Sequence, residues 1–286
     1  MPPYAPPADP SILRPELTGP FDIIGDVHGC ADELEELLGR LGYTVAWHRD
    51  DQDQRVVRVT PLAGRQLVFV GDLVDRGPRT PDVLRLVMAM VAAGTAHCVL
   101  GNHDLKFRRW LAGRSVELGH GLAESAAQMT RESESFRKSV YAFLGQLPDY
   151  LCLDNRRLTI AHAGIEAWMI GNISDRIRAF CLYGDRNNGE RDAAGLSVRY
   201  NWAAAYDGPS FVVYGHTPVV EPARVNNTIC LDTGCVFGGT LTAMRWPEQT
   251  FVSVAARRTY VPTLRPLGLP PARPGVFANR VLSKQS

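Results

Sequence analysis

Five short apolar runs in this chain each end in a glycine-bordered or alanine-bordered polar motif, and this pattern constrains the fold more than any other feature. Phe21-Asp22-Ile23-Ile24 leads into Gly25-Asp26-Val27-His28-Gly29, and Gln66-Leu67-Val68-Phe69-Val70 into Gly71-Asp72-Leu73-Val74-Asp75-Arg76-Gly77. His97-Cys98-Val99-Leu100 leads into Gly101-Asn102-His103-Asp104, Leu158-Thr159-Ile160 into Ala161-His162-Ala163-Gly164, and Phe211-Val212-Val213-Tyr214 into Gly215-His216-Thr217. Runs this short that are rich in Val, Ile and Phe read as buried strands. Loops at the carboxyl ends of strands in an α/β sheet converge on one edge, where ligands bind. The five strand ends therefore deliver Asp26, His28, Asp72, Asn102, His162 and His216 to one crevice, and glycine lets the backbone turn tightly there.

Helical periodicity fills the gaps. Leu34, Leu37, Leu38 and Leu41 fall at i, i+3, i+4 and i+7, closed by Gly42. Thr80-Pro81 reads as an N-cap and first turn, with Val83, Leu84, Val87, Met88 and Val91 as the apolar stripe and Gly94 as the stop. Strand, helix, strand, helix, strand is a βαβαβ core, hence an α/β fold. Residues 105–147 read as mostly helical, with Phe136, Val140, Phe143, Leu144 and Leu147 on one face. Later runs, including Ile229-Cys230-Leu231 and Leu241 to Arg245, crowd together without obvious helices between them, which predicts a second, more antiparallel sheet.

The ends differ in composition from the middle. Residues 1–20 hold seven Pro and residues 262–274 five, so 1–20 and 262–286 read as extended or irregular arms around a domain at 21–261. The formal charge of +1 supplies no protein-wide field to draw in nucleic acid or an anionic membrane. No apolar run approaches the roughly 18 residues that cross a bilayer, and the start shows no basic region followed by an apolar stretch. Six scattered cysteines without a CxxC pair fit small apolar fillers in a thiol-reducing cytoplasm.

Carboxylate, imidazole and amide oxygen are ligands for borderline divalent metals, and six such groups exceed what one tetrahedral site needs. They suit two cations sharing a carboxylate, which together lower the pKa of a shared water from 15.7 toward about 7. Each residue taken alone has a plainer reading. Asp26 and Asp72 precede helix starts and can cap them. His48, His97 and His120 read as ordinary core or surface histidines. Lys106, Arg108, Arg109 and Arg114 form a basic cluster that reads equally as a phosphate-backbone contact or as a solvated helix face. What separates the set from its members is co-occurrence: GDxHG alone arises by chance in roughly one chain of this length in several hundred, and here it is followed in order by GDxxDRG and GNHD.

GDVHG, GDLVDRG, GNHD, AHAG and GHT resemble the five signature blocks of the calcineurin-like metallophosphoesterases, over roughly residues 21–256. The resemblance implies a β-sandwich of two mixed sheets flanked by helices. It implies one metal on Asp26, His28 and Asp72, a second on Asp72, Asn102, His162 and His216, and Asp72 as the bridge. Manganese is the expected ion, with iron, zinc, nickel and cobalt allowed by the donor set. Arg76, following Asp75 inside its motif, reads as a phosphate contact, and His103, next to Asn102, as a proton donor whose imidazole Asp75 orients; the resemblance implies a position for Asp232 near the metals, behind a ligand histidine or simply in a turn. The stretches GDLVDRGPRTPDVLRLV, HGLAES and NNTICLDTGCVFGGTLTAMRWPE are similar to the phosphatase domain of bacterial polynucleotide kinase-phosphatases, although no GxxxxGK[ST] loop occurs. On that basis the expected substrates are nucleotides or RNA ends carrying 3′-phosphate or 2′,3′-cyclic phosphate. The same blocks also resemble symmetrical dinucleoside tetraphosphatases and Ser/Thr protein phosphatases, and a non-catalytic scaffold of the same fold is the remaining alternative.

Overall fold

The computed structural model describes residues 12–51 and 53–273. The chain enters through a two-residue strand β1 (Leu13–Arg14), then β2 (Phe21–Ile24), α1 (Ala31–Leu41), the hairpin β3 (Thr44–Arg49) and β4 (Arg55–Thr60), β5 (Gln66–Phe69), α2 (Thr80–Ala92) and β6 (Ala96–Cys98). Helices α3 (Asn102–Leu111), α4 (Leu122–Met129) and α5 (Glu134–Gln146) precede β7 (Tyr150–Leu153), β8 (Leu158–Ala161) and α6 (Asp175–Tyr183). A second hairpin, β9 (Asp185–Arg191) and β10 (Ser197–Tyr200), leads to β11 (Phe211–Tyr214), β12 (Ala223–Val225), β13 (Thr228–Cys230), β14 (Thr240–Trp246) and β15 (Thr250–Ala255).

Two mixed sheets result. One runs β15-β14-β2-β5-β6, the other β1-β7-β8-β11-β13-β12. Side chains of a strand alternate between faces, and here both faces are covered. Phe21 and Ile23 of β2 point into an inter-sheet core with Val68, Ile160, Val213 and Ile229. Ile24 and its neighbours Leu67 and Phe69 face the other way, under the apolar stripes of α1 and α2. The outer face of the second sheet is closed by Trp202, Tyr206 and residues of α6. This is the two-sheet, helix-flanked α/β sandwich expected from the sequence.

One local expectation is met in detail and two are not. Leu34, Leu37, Leu38 and Leu41 are all buried, and α1 ends on Gly42 at φ 101°, a left-handed cap that a side chain would strain. Thr80 is inside α2 rather than capping it: Arg79 is the N-cap, and the Thr80 hydroxyl bonds Ser125 of α4 instead. The second sheet is not predominantly antiparallel. Its β1/β7, β8/β11 and β11/β13 pairings are parallel, against antiparallel β7/β8 and β12/β13. The reason is the excursion between β8 and β11, which holds α6 and a hairpin; parallel neighbours need such a crossover.

The proline-rich flanks are partly integrated. Ile12 is buried in the outer core, and β1 extends the second sheet beside β7. At the other end the Gly268 N–H donates to the Pro218 carbonyl, and the Asn201 N–H to the Pro271 carbonyl. The remainder of both arms, 1–11 and 274–286, lies outside the described residues. Among the described residues, no helix is long and apolar enough to cross a membrane.

Candidate functional site

The parallel strands β2, β5 and β6 of one sheet and β8, β11 and β13 of the other end at a common edge, and all five motifs lie there. The turns they make are unusual. His28, Asp72, Asp75, Arg76 and His216 have φ of 43°, 48°, 74°, 71° and 66°, a region costly for residues with a Cβ. Left-handed non-glycine residues gather where surrounding structure holds a strained backbone for a purpose. The close approach is also tight. A Cβ on Gly215 would lie 1.8 Å from Asp26 Oδ1. Gly215→Ala is therefore expected to stay folded at a cost of about 1–3 kcal/mol while displacing Asp26, read as a thermal midpoint lowered by several degrees with a larger proportional loss of bound metal. An unchanged metal content would show that Asp26 does not take part.

Asp72 is central. Its Oδ1 accepts the His103 N–H at 2.9 Å. Its Oδ2 stands 3.5 Å from His28 Nε2 and 3.3 Å from His162 Nε2. Burial alone would raise this carboxyl, but the imidazoles of His162, His103 and His28 overcome that and hold it well below the usual carboxylate range. Each imidazole is turned by the backbone. His28 Nδ1 bonds the Val74 carbonyl at 2.8 Å and His162 Nδ1 the Val70 carbonyl at 3.0 Å, so each Nε2 faces the crevice.

Around His162 Nε2 the donor set is chemically one-sided. Asn102 Oδ1 lies at 2.9 Å, His216 Nδ1 at 3.2 Å and Asp72 Oδ2 at 3.3 Å. Four lone-pair atoms face one another and require a cation or a shared proton between them. Burial opposes charge on His162, yet Asp72 raises its affinity for a proton. His216 Nε2 is buried without a hydrogen-bond partner. Asp26 accepts the His216 N–H at 3.0 Å, and its carboxyl is raised well above its usual value by burial and by neighbouring Asp232 and Asp72. Three crowded carboxyls and the facing donor atoms of His162, His216 and Asn102 fit divalent cations. His28 and Asp72 on one side, and Asp72, His162 and His216 on the other, each bring ligand atoms within 4.8 Å of one another.

The remaining expected residues divide. His103 joins the His28 and Asp72 group, and its Nδ1 bonds Asp75 Oδ2 at 2.7 Å. Arg76 donates to His28 Nε2 at 2.5 Å and to His103 Nε2 at 2.9 Å, inside the crevice rather than on the surface. Asp104 buttresses the loop by accepting the Leu73 and Gly101 N–H groups. Asp232 is buried, but its carboxylate accepts the Gly234 N–H of its own turn, not a histidine N–H. Of the basic cluster past the site only Lys106 reaches the cavity; Arg108 lies over the Tyr141 ring, and Arg109 and Arg114 are exposed.

A cavity of about 650 Å³ rises from Asp72, Asn102, His103 and His216. Its upper wall was not legible in the sequence. It comprises the β9–β10 hairpin and the start of the C-terminal segment, Val261 to Arg265. The hairpin reads in sequence as a polar, glycine-containing stretch with no clear period, and its only signal is the recurrence of arginine at 186, 191 and 199. His120, read as ordinary, also lines the cavity.

Comparison with known proteins agrees with this geometry. A family model described as calcineurin-like phosphoesterase matches residues 19–220. A protein of Halalkalibacterium halodurans, the asymmetrical bis(5′-nucleosyl)-tetraphosphatase PrpE, is 46% identical over 245 residues, covering 84% of this chain and 96% of its own. The protein of that name from Bacillus subtilis is 44% identical over 244 residues, 84% of this chain and 96% of its own. The crystal structure of a candidate diadenosine tetraphosphatase superposes with a TM-score of 0.60 at 26% identity, over 86% of this chain and 97% of that one. The finer likeness to polynucleotide kinase-phosphatases, and with it RNA ends as substrate, gains no support: these relatives carry the tetraphosphatase name instead. The convergent Asp, His and Asn side chains and the full-length relatives lead to one conclusion: the chain belongs to the calcineurin-like phosphoesterase family, hydrolases of phosphoester bonds.

Proposed function

We propose that the protein cleaves dinucleoside tetraphosphates asymmetrically, releasing a nucleoside monophosphate and a nucleoside triphosphate. The observation that carries this reading is a pair of His/Asp donor groups sharing Asp72 at the floor of a cation-lined cavity of about 650 Å³. The full-length relatives named for this activity support it. In this reading Asp26, His28 and Asp72 hold one divalent cation, and Asp72, Asn102, His162 and His216 hold a second, with manganese the expected ion among manganese, iron, zinc, nickel and cobalt. Bound cations supply Lewis-acid activation of water and neutralise charge on the reacting phosphoryl group.

The chain's own groups do the rest. Arg76, fixed between two imidazoles, turns its guanidinium to the phosphoryl oxygens as charge builds there. His103 gives the proton to the departing oxygen from Nε2 while Asp75 holds Nδ1. Asp75 and Arg76 both have a left-handed φ, and their side chains meet His103 at Nδ1 and Nε2 respectively.

The test is product analysis with diadenosine tetraphosphate. Equimolar AMP and ATP is expected; two ADP per substrate, or no turnover by a preparation that still hydrolyses p-nitrophenyl phosphate, would overturn the reading. Dialysis against a strong chelator is expected to remove activity, and added manganese to restore it. Activity surviving in a preparation shown by elemental analysis to be metal-free would exclude the donor assignment.

A further inference from the structure

We infer that the β9–β10 hairpin and the C-terminal segment that straps it form a subsite for the phosphates beyond the one being attacked, with Arg186, Arg191 and Arg199 as its ligands. This rests on the polyphosphate reading above and adds which residues grip the rest of the chain.

The first observation is register. On the hairpin Arg199 pairs directly with Arg186, and Ser197 with Arg191. All four of these residues line the cavity. Like charges directly opposite on an antiparallel ladder repel and destabilise the pair. A short hairpin that keeps two facing arginines on its cavity side needs an anion between them. The second observation is pairing. Arginines elsewhere are matched to carboxylates, such as Arg79 with Asp32 and Asp82, and at the cavity wall Arg265 is matched to Asp192. Arg186, Arg191 and Arg199 form no such ion pair among the described residues. Arg186 lies over the Tyr183 ring at 4.0 Å, Arg191 donates to the Ser197 hydroxyl at 2.8 Å, and Arg199 donates to the His216 carbonyl at 3.3 Å. That last bond joins the hairpin to the backbone of a candidate metal ligand.

The third observation is how the wall is fixed. Arg265 bonds Asp192 Oδ2 at 2.6 Å and the Ser197 carbonyl at 2.7 Å, and Arg273 pairs with Asp185. The proline-rich segment is thus clasped to both ends of the hairpin, and a clasped wall loses less entropy on binding than a free loop. The cavity's cations are Arg76, Lys106, Arg186, Arg191, Arg199 and Arg265, against the carboxylates Asp72 and Glu117. Guanidinium forks bind phosphate oxygens bidentately, so several of them in the cavity wall beside the donor groups suit a phosphate chain better than a lone ester.

The experiment measures ATP and AMP as competitive inhibitors of p-nitrophenyl phosphate hydrolysis by the manganese-loaded enzyme, in wild type, Arg186→Ala, Arg199→Ala and Arg191→Ala. The two nucleotides differ only in the distal phosphates. In each variant the inhibition constant for ATP is expected to rise at least tenfold and that for AMP less than threefold. The kcat/KM for diadenosine tetraphosphate should fall at least tenfold relative to that for p-nitrophenyl phosphate. A parallel rise for ATP and AMP, or no rise for either, in variants whose thermal midpoints match wild type overturns the subsite. Arg191→Ala, outside the facing pair, keeps the test decisive if an Arg186 or Arg199 variant misfolds. Selective loss of ATP affinity in a protein that yields two ADP from diadenosine tetraphosphate would sustain the subsite and reject the asymmetrical reading, so the two failures are distinguishable.

Discussion

Asp72→Ala is expected to lower turnover by about a thousandfold or more and to reduce bound metal from two equivalents to one or fewer. No other side chain is shared so widely. Its Oδ2 stands between His28 and His162, and its Oδ1 accepts the backbone N–H that begins α3 at His103. Removing the carboxylate therefore takes away the only group common to both donor sets and leaves a buried N–H without its acceptor. Losing that acceptor costs about 1–3 kcal/mol, too little by itself to unfold a domain of this size. Asp72→Asn separates the contributions: it keeps an oxygen to accept the His103 N–H but loses the charge. Elemental analysis, turnover and thermal midpoint of both variants check the claim. If Asp72→Ala kept two equivalents of metal and more than a few per cent of turnover, the shared-carboxylate arrangement would be wrong.

How far the site was legible in the sequence follows from where the information sits. Asp26, His28, Asp72, Asn102, His162 and His216 were readable because each lies within a few residues of a strand end and is bordered by glycine or alanine, and strand ends in such sheets converge. Asp75 and His103 were placed by motif, and the two side chains lie 2.7 Å apart. The hairpins were not legible. Trp47 and Val45 of β3 alternate only partially with polar neighbours, and Asp185 to Arg191 carries almost no apolar residue. A strand whose one face binds a polar ligand has no hydrophobic period to report. The parallel character of the second sheet escaped for a related reason: α6 is short and its apolar stripe of Ile177, Cys181 and Leu182 is weak. The role of the C-terminal prolines was hidden as well. Composition marks them as non-helical, but only the Arg265 and Arg273 contacts show them clasping a cavity wall.

His103→Ala should leave metal content unchanged and slow alkyl phosphate hydrolysis by about 100- to 10,000-fold, with a much smaller effect on p-nitrophenyl phosphate, whose leaving group needs no proton. Dinucleoside tetraphosphate should respond like p-nitrophenyl phosphate, because a departing triphosphate is likewise a far weaker base than an alkoxide. The geometry gives the reason for this order. In the free enzyme burial holds His103 down to about 3 and pushes Asp75 up to about 7, so burial disfavours charge on both partners of the 2.7 Å contact. Arg76 adds to the suppression by donating to His103 Nε2 at 2.9 Å. A substrate phosphoryl group reverses this. It draws the guanidinium onto its own oxygens and brings negative charge beside Nε2, which favours the protonated imidazole. His103 is then charged where it faces the leaving oxygen, and the alkaline fall in kcat for alkyl esters reports loss of that proton from the substrate complex. In His103→Ala that alkaline limb should disappear, while Asp75→Asn should keep a weakened one, since an amide holds the ring without favouring its charged form. Equal slowing of alkyl and p-nitrophenyl esters, with the limb intact, would remove His103 as the proton donor.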